Sequence, residues 1–250
     1  MTARSILNVL TVTLCVLAPA VHAQEKPFPL PPKEWPSPVS DQSIRTFLLA
    51  DRLEYRRQGG LNTWNWDAQG WIGGDYNKLW IKSEGNGERG RVDDGDVQLL
   101  YARRIAPFWH VQAGVRNEPR PSPSRNSAVL GIQGIAPYWF DIEAMMFLNT
   151  KNDMSGRVEA ETDLLFTQRL ILQSHFETNF SAAEDAARRI GNGINDLTFG
   201  LRLRYEIRRE FAPYIGVNWT RKVGDTADFA RRAGENVGGF SVVAGVRLWY

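Results

Sequence analysis

The chain has almost no cysteine, and this scarcity excludes two kinds of site. Only Cys15 is a cysteine among the 250 residues. It lies in an N-terminal apolar stretch that we expect to be removed on export. The rest of the chain can therefore form neither disulfides nor thiolate metal sites, although an exported protein would be free to form disulfides.

Long apolar runs and a large net charge are missing as well. After the N-terminus, no segment approaches the roughly 18 consecutive apolar residues of a membrane-spanning helix, which excludes a helical membrane protein. Lys and Arg total 30 against 28 Asp and Glu, so the charge balance gives no electrostatic reason to bind nucleic acid. Nine tryptophans nevertheless accompany 23% charged residues. This combination is typical of a membrane β-barrel with aromatic girdles and a polar lumen.

Residues 1–23 have the features of a secretory signal peptide. Arg4 supplies a basic start, residues 6–17 form a short apolar stretch, and small residues occupy the cleavage positions in Val21-His22-Ala23. We expect cleavage after Ala23. Residues 24–44 are rich in proline and predict an extended periplasmic arm. One domain then covers residues 45–250.

Residues 45–250 alternate between apolar and polar side chains in twelve segments, as strands do. Leu201 and Leu203, for example, share one parity while Arg202 and Arg204 take the other. An arginine facing lipid costs ~2–4 kcal/mol at the midplane, so the polar parity must face a wet interior. Backbone groups in hydrocarbon must all be paired, which requires closure. The sequence predicts an all-β fold, a transmembrane antiparallel up-and-down β-barrel of about 12 strands of the outer-membrane type.

Two details of this assignment can be checked against a structure. In the first strand, Phe47, Leu49, Leu53 and Tyr55 are predicted to face lipid, although Asp51 interrupts them. Helical periodicity fits only residues 182–190.

The connections between the predicted strands alternate between short and long, as in bacterial barrels with short periplasmic turns. Short connections are predicted near residues 73–75, 106–107, 136–137, 167–168 and 208–210, and longer loops near residues 58–62, 85–95, 117–127, 149–156, 181–195 and 224–239. An even strand number then puts both ends of the barrel on the periplasmic side. The alternating last strand also ends on an aromatic residue, Tyr250. These features predict the outer membrane of a Gram-negative cell, with its lipid around the barrel.

Candidate metal ligands share the inward parity, and several lie on the seventh to ninth strands, which are neighbours. Counting residues from the neighbouring turns places Met145, Glu161 and His175 near the mid-height of the barrel and His110 nearer the periplasm. Thioether sulfur prefers Cu(I), while imidazole and carboxylate also accept Cu(II), so this donor set suits copper. The candidates are His175, Met145, Glu161, Glu143, Glu177 and His110.

A second interpretation needs no metal. Inward carboxylates in a barrel commonly pair with facing arginines, here Arg202, Arg204 and Arg247. The chain would then be a general small-solute channel or a structural barrel. An enzyme is not indicated: Ser174 precedes His175, but adjacent strand residues point to opposite faces and cannot form a nucleophile–base pair.

Five sequence stretches resemble the copper resistance protein B family. They are residues 66–75 (WDAQGWIGGD) with 78–85 (KLWIKSEG), the repeated turns 105–109 (IAPFW) and 135–139 (IAPYW), and residues 203–214 (LRYEIRREFAPY). The likeness covers roughly residues 40–250. It implies an outer-membrane barrel with a role in copper tolerance or homeostasis, acting beside a periplasmic multicopper oxidase.

The chain departs from that family's pattern in its arm. Family members often carry a stretch rich in methionine and histidine before the barrel, whereas residues 24–44 contain neither residue. We therefore expect copper ions to be bound inside the barrel, where they would be sequestered or moved across the outer membrane.

Overall fold

A computed structural model describes residues 43–150 and 153–250, and these residues form twelve antiparallel strands. The predicted signal peptide and residues 24–42 of the predicted arm lie outside the described residues. The strands are β1 (Arg45–Gln58), β2 (Leu61–Gly73), β3 (Asn77–Glu88), β4 (Arg91–Ala106), β5 (Trp109–Arg120), β6 (Arg125–Ala136), β7 (Phe140–Asn149), β8 (Met154–Leu165), β9 (Leu170–Ser181), β10 (Gly193–Tyr205), β11 (Phe211–Lys222) and β12 (Gly238–Trp249).

The strands close into a ring in which each pairs with its neighbours in sequence. β1 completes the ring by pairing with β12, for example through Leu49 opposite Trp249. Closure leaves no row of unpaired backbone groups, which is the condition for crossing hydrocarbon with strands. The prediction of an outer-membrane-type barrel of about twelve strands is confirmed.

The two faces of the sheet follow the predicted alternation over most strands. Leu99 and Val217 point away from the barrel and are about half exposed, while Gln98 and Asn218 point inward and are buried. Arg202 is 2% exposed, and its guanidinium binds a carboxylate inside the ring. The outer face is therefore an apolar band and the interior is polar, as membrane barrels require.

β1 departs from this alternation because it contains a bulge. The register against β2 and β12 shifts between Ala50 and residues 52–53. Before the shift the odd residues face inward, so the prediction that Phe47 and Leu49 face lipid was wrong. The extra residue also turns two consecutive side chains, Asp51 and Arg52, into the lumen. A bulge reverses the facing of a strand in this way because two residues oppose one on the partner.

Two of the predicted long loops are tight turns. β1 and β2 are joined by Gly59 and Gly60, and β3 and β4 by Arg89 and Gly90. All four residues have positive φ, between 51° and 88°, the backbone of a two-residue hairpin turn that matches strand twist. The predicted long loops 58–62 and 85–95 were therefore wrong. Strands β1 to β4 extend further instead. The connection 121–124, also predicted as a long loop, has four residues, fewer than the turn 206–210, so short and long connections do not alternate strictly.

The longest external connections are residues 182–192 and 223–237. The second contains the helix α1 (Gly224–Arg232), whose Ala227 and Ala230 are buried. The predicted helical periodicity at 182–190 was wrong: that segment forms turns closed by a bridge between Asp185 and Ile190. Among the described residues, no helix is long and apolar enough to cross a membrane.

The interior also has an apolar part. Leu100, Val129, Met145 and Phe147 form a buried cluster with Trp80 packed against it. We call these five residues the apolar cluster. An aromatic row then runs along the inward face of the strands near the turn at 74–76. It is formed by Trp249, Phe47, Trp71 and Trp80, with centroid separations of 6.3, 6.1 and 6.3 Å in that order.

Candidate functional site

His175 lies at the centre of the most concentrated polar group in the lumen. It is 3% exposed, and its Nδ1 lies 2.8 Å from Glu161 Oε1 while its Nε2 lies 3.5 Å from Glu177 Oε2. The sheet register produces this arrangement. Glu161 is directly opposite His175 on the neighbouring strand, and Glu177 is two residues further along the same strand, so all three side chains share one face.

Arg52 reaches this histidine from the other side of the lumen. Its Nη1 lies 3.2 Å from His175 Nε2, although β1 and β9 are not neighbours in the ring. The same guanidinium binds Asp67 on β2, with Nε 3.1 Å from Oδ2. An arginine can donate to two acceptors at once because its N–H groups form a rigid fork.

Two hydrogen-bond arrangements satisfy the His175 ring. In the neutral form, Nδ1–H donates to Glu161 and the Nε2 lone pair accepts from Arg52, which has no lone pair of its own. In the charged form both nitrogens carry protons, and Nε2–H donates toward Glu177. Neither arrangement leaves a free imidazole lone pair.

A cavity of about 290 Å³ adjoins this group. Two of its lining side chains, Asn65 and Asn218, have a buried Oδ1 with no hydrogen-bond partner among the described residues. Buried polar atoms without partners commonly mark a place for water or an ion. The cavity also contacts Arg52, Asp67, His175 and Glu177.

Among the described residues, three ion pairs connect strands that lie far apart in the ring, and two of them, Arg157 with Glu84 and Arg202 with Glu54, line the cavity. They connect strands three to five positions apart in the ring of twelve, so they cross the lumen. Breaking a buried pair by removing one partner leaves an uncompensated charge and is costly. The pairs are Arg157 with Glu84, Lys82 with Glu143, and Arg202 with Glu54.

The structure brings three of the six predicted ligands together, namely His175, Glu161 and Glu177. Glu143 is held instead by Lys82. Met145 faces inward as predicted, but it lies 2% exposed in the apolar cluster, and its ladder partner is Arg157.

His110 faces inward on β5, apart from that group. Arg104 is directly opposite it on β4, and the charges that act on it are the cations Lys78 and Arg104. Its Nε2 is buried with no hydrogen-bond partner among the described residues. Within residues 43–150 and 153–250, no three His, Cys, Asp or Glu side chains are placed to hold one metal ion together.

The sequence interpretation missed Arg52 and Asp67 as members of this group. A signal for Arg52 was present, because Asp51 breaks the apolar alternation of β1. A charged residue at an apolar position beside another charge indicates a bulge that turns both inward.

Comparisons with known proteins agree on one family. Residues 44–250 match the family described as copper resistance protein B precursor (CopB). The chain is 42% identical to the copper resistance protein B of Escherichia coli over 212 residues, which are 85% of this chain and 72% of that protein. It is 41% identical to a copper resistance protein B homolog of Pseudomonas syringae pv. tomato (strain ATCC BAA-871 / DC3000), over the same shares of the two chains.

A solved structure of the NanC porin shares the fold. It superposes with a TM-score of 0.51 at 12% identity, covering 82% of this chain and 99% of the porin. At this identity the likeness concerns the barrel architecture alone.

Proposed function

The chain belongs to the copper resistance protein B family, and from this premise we propose that its barrel binds copper ions in the lumen at His175. The family supports a role in copper resistance, and the outer-membrane-type barrel supports a place in the outer membrane. The observation that carries the proposal is a buried histidine with carboxylates 2.8 and 3.5 Å from its two ring nitrogens.

The donor set near His175 favours Cu(II). Imidazole nitrogen and carboxylate oxygen are ligands that Cu(II) accepts, whereas Cu(I) prefers sulfur. The inward sulfur of Met145 is buried in the apolar cluster. We therefore propose His175, through Nε2, and Glu177 as the ligands from this group, with Glu161 holding the imidazole in place at Nδ1. Glu143, Met145 and His110 lie outside the site.

The crossing ion pairs favour sequestration or controlled passage over free flow. A solute moving along the lumen meets Arg157 bound to Glu84 and Lys82 bound to Glu143. Copper could then be held at the outer membrane, or handed on to a periplasmic multicopper oxidase as the family resemblance implies.

Copper titration of the purified barrel tests this proposal. We expect wild type to bind one Cu(II) and His175→Ala to lose at least about 100-fold in affinity, since a metal ligand is removed. His110→Ala is the matched control, because it removes the other inward histidine, and it should bind like wild type.

Three outcomes would contradict the proposal. They are no binding by wild type, equal binding by His175→Ala, or loss of binding in His110→Ala alone. A deletion strain complemented with each variant should show the same order of copper tolerance.

A small-solute channel is the second candidate, favoured by the shared barrel architecture of the NanC porin. The two candidates differ in conductance. A copper-binding barrel closed by crossing ion pairs should conduct weakly in planar bilayers, and copper should change that conductance. A general channel should conduct strongly and be indifferent to copper.

We also infer that the barrel is not an enzyme. Ser174 lies beside His175 in sequence, but it donates to the backbone oxygen of Thr162 at 3.4 Å. Its side chain points to the face opposite His175, because adjacent strand residues alternate. A serine and a base on opposite faces cannot act together.

A further inference from the structure

We propose that Arg52 is a tethered cation that occupies the ligand position on His175 and that an incoming copper ion must displace. This inference rests on the proposed function, because it concerns the same histidine. It assigns Arg52 the role of setting which metal ions the lumen accepts and how tightly it binds them.

The position of Arg52 is a product of the bulge in β1. With a regular strand, Asp51 and Arg52 would point to opposite faces. The register shift turns both inward. Asp51 then binds Arg247 at 2.7 Å, and Arg52 extends to His175 Nε2 at 3.2 Å.

Asp67 holds the guanidinium in place whether or not His175 is engaged. Nε of Arg52 is 3.1 Å from Asp67 Oδ2, and the Arg52 side chain is 12% exposed. Arg52 can therefore release His175 while its pair with Asp67 persists. Only one hydrogen bond is lost, which makes the exchange with a metal ion reversible.

The chemistry of the exchange discriminates among cations. A metal ion and a guanidinium cannot share Nε2, because the nitrogen has one lone pair in the ring plane. Only an ion with a strong preference for imidazole gains enough to displace Arg52. Copper has that preference, whereas Ca²⁺ and Mg²⁺ prefer oxygen ligands.

Glu161 and Glu177 make the displacement favourable for a divalent ion. Both carboxylates are within 3.5 Å of the imidazole nitrogens. When Arg52 withdraws, Glu177 faces the vacated position at Nε2, while Glu161 adds its negative charge from the Nδ1 side of the ring. An ion of charge +2 interacts with them more strongly than a guanidinium of charge +1 at the same distance.

Cu(II) titration of the full-length barrel tests the inference. Removing the competitor in Arg52→Gln should raise Cu(II) affinity about tenfold, which is about 1.4 kcal/mol. Arg247→Gln is the matched control. It removes one inward positive charge next to the bulge without touching His175, and it should change affinity by less than about threefold.

Arg52→Lys provides a second measurement if the glutamine variant does not fold. A lysine keeps the charge but has a single ammonium, which cannot bind Asp67 and His175 with the fork of an arginine. We expect this variant to fold and to bind Cu(II) about threefold more tightly than wild type.

The outcomes separate this inference from the proposed function. If His175→Ala binds Cu(II) like wild type, both fall. If His175→Ala loses binding but Arg52→Gln and Arg52→Lys bind as wild type or more weakly, Arg52 is only structural and this inference alone is overturned. Equal tightening in Arg52→Gln and Arg247→Gln also overturns it, because the effect is then general to lumen charge.

Discussion

Met145 and Glu161 lie on neighbouring strands and both face the lumen, yet they belong to opposite environments. Met145 packs with Leu100, Val129 and Phe147 in a dry cluster. Glu161 takes part in a charged group around His175, beside a cavity of about 290 Å³. Both residues occupy inward positions of their strands, which alternate with outward positions in a barrel.

The difference shows that a barrel interior is not uniformly wet. One part of the lumen is filled by close-packed side chains, which exclude water and ions. The other part is held by charges that compensate each other across the ring. Copper chemistry is confined to the second part in our proposal, and the following predictions test that division.

The largest expected change in stability comes from a substitution in the charged part of the lumen. Glu54→Gln should lower the free energy of unfolding by about 3 kcal/mol, because it leaves the Arg202 guanidinium without its charged partner. Both side chains are at most 2% exposed. Guanidinium unfolding in lipid vesicles, followed by tryptophan fluorescence, measures the change.

A neutral result for Glu54→Gln would contradict the division. It would mean that water screens the charges of the lumen even where the side chains are buried. Ion pairs in the lumen and in the external loops would then contribute equally to stability.

A smaller effect is expected in the apolar part. Met145→Ala should destabilise the barrel by about 2 kcal/mol through the cavity it creates, and Met145→Leu by less than about 1.5 kcal/mol because volume is kept. Neither variant should change Cu(II) affinity. A tenfold loss of copper affinity in Met145→Leu would show that the thioether belongs to the metal site. The apolar and charged parts of the lumen would then not be separate in function.

The smallest change in stability is expected in the external loops. It is the reference against which the changes in the two parts of the lumen are compared. Glu235 binds Lys222 at 3.1 Å and Arg189 in another loop, but its side chain is 42% exposed. Glu235→Gln should cost less than about 0.5 kcal/mol, and raised salt should remove the difference.

The pH dependence of this loop pair has a definite sign. The hydrogen bond donated by Lys222 holds the pKa of Glu235 below its usual value. Its contribution is therefore present above the usual carboxyl pKa and is lost as pH falls through the lowered value. Loop protection against proteolysis, measured across that range, should decline in wild type and stay flat in Glu235→Gln.

Much of the fold could be predicted from the sequence because alternation is a local signal. The apolar or charged character of a side chain alone indicates whether it faces lipid or the lumen, as it does in Leu201, Arg202, Leu203 and Arg204. The sequence also contains a signal for the tight turn between β1 and β2. Gly59-Gly60 is a dipeptide typical of a two-residue hairpin, yet its polar surroundings suggested a longer loop.

The site was only partly predictable because the height of a residue along the barrel axis cannot be read from the sequence around it. Strands tilt by ~35–45° to the barrel axis, so equal distances from a turn do not give equal heights. Counting placed Met145 beside Glu161, whereas the ladder pairs it with Arg157. The bulge that brings in Arg52 depends on pairing with both neighbouring strands, which no single stretch of sequence specifies.

The aromatic row has a consequence for assembly. It passes from Trp249 on the last strand to Phe47 on the first, with ring centroids 6.3 Å apart. This contact spans the seam where the two ends of the sheet meet, so it can exist only once the ring has shut. The indole of Trp249 is thus a built-in reporter of insertion: its emission should change at the moment of seam closure, separately from the earlier pairing of the inner hairpins.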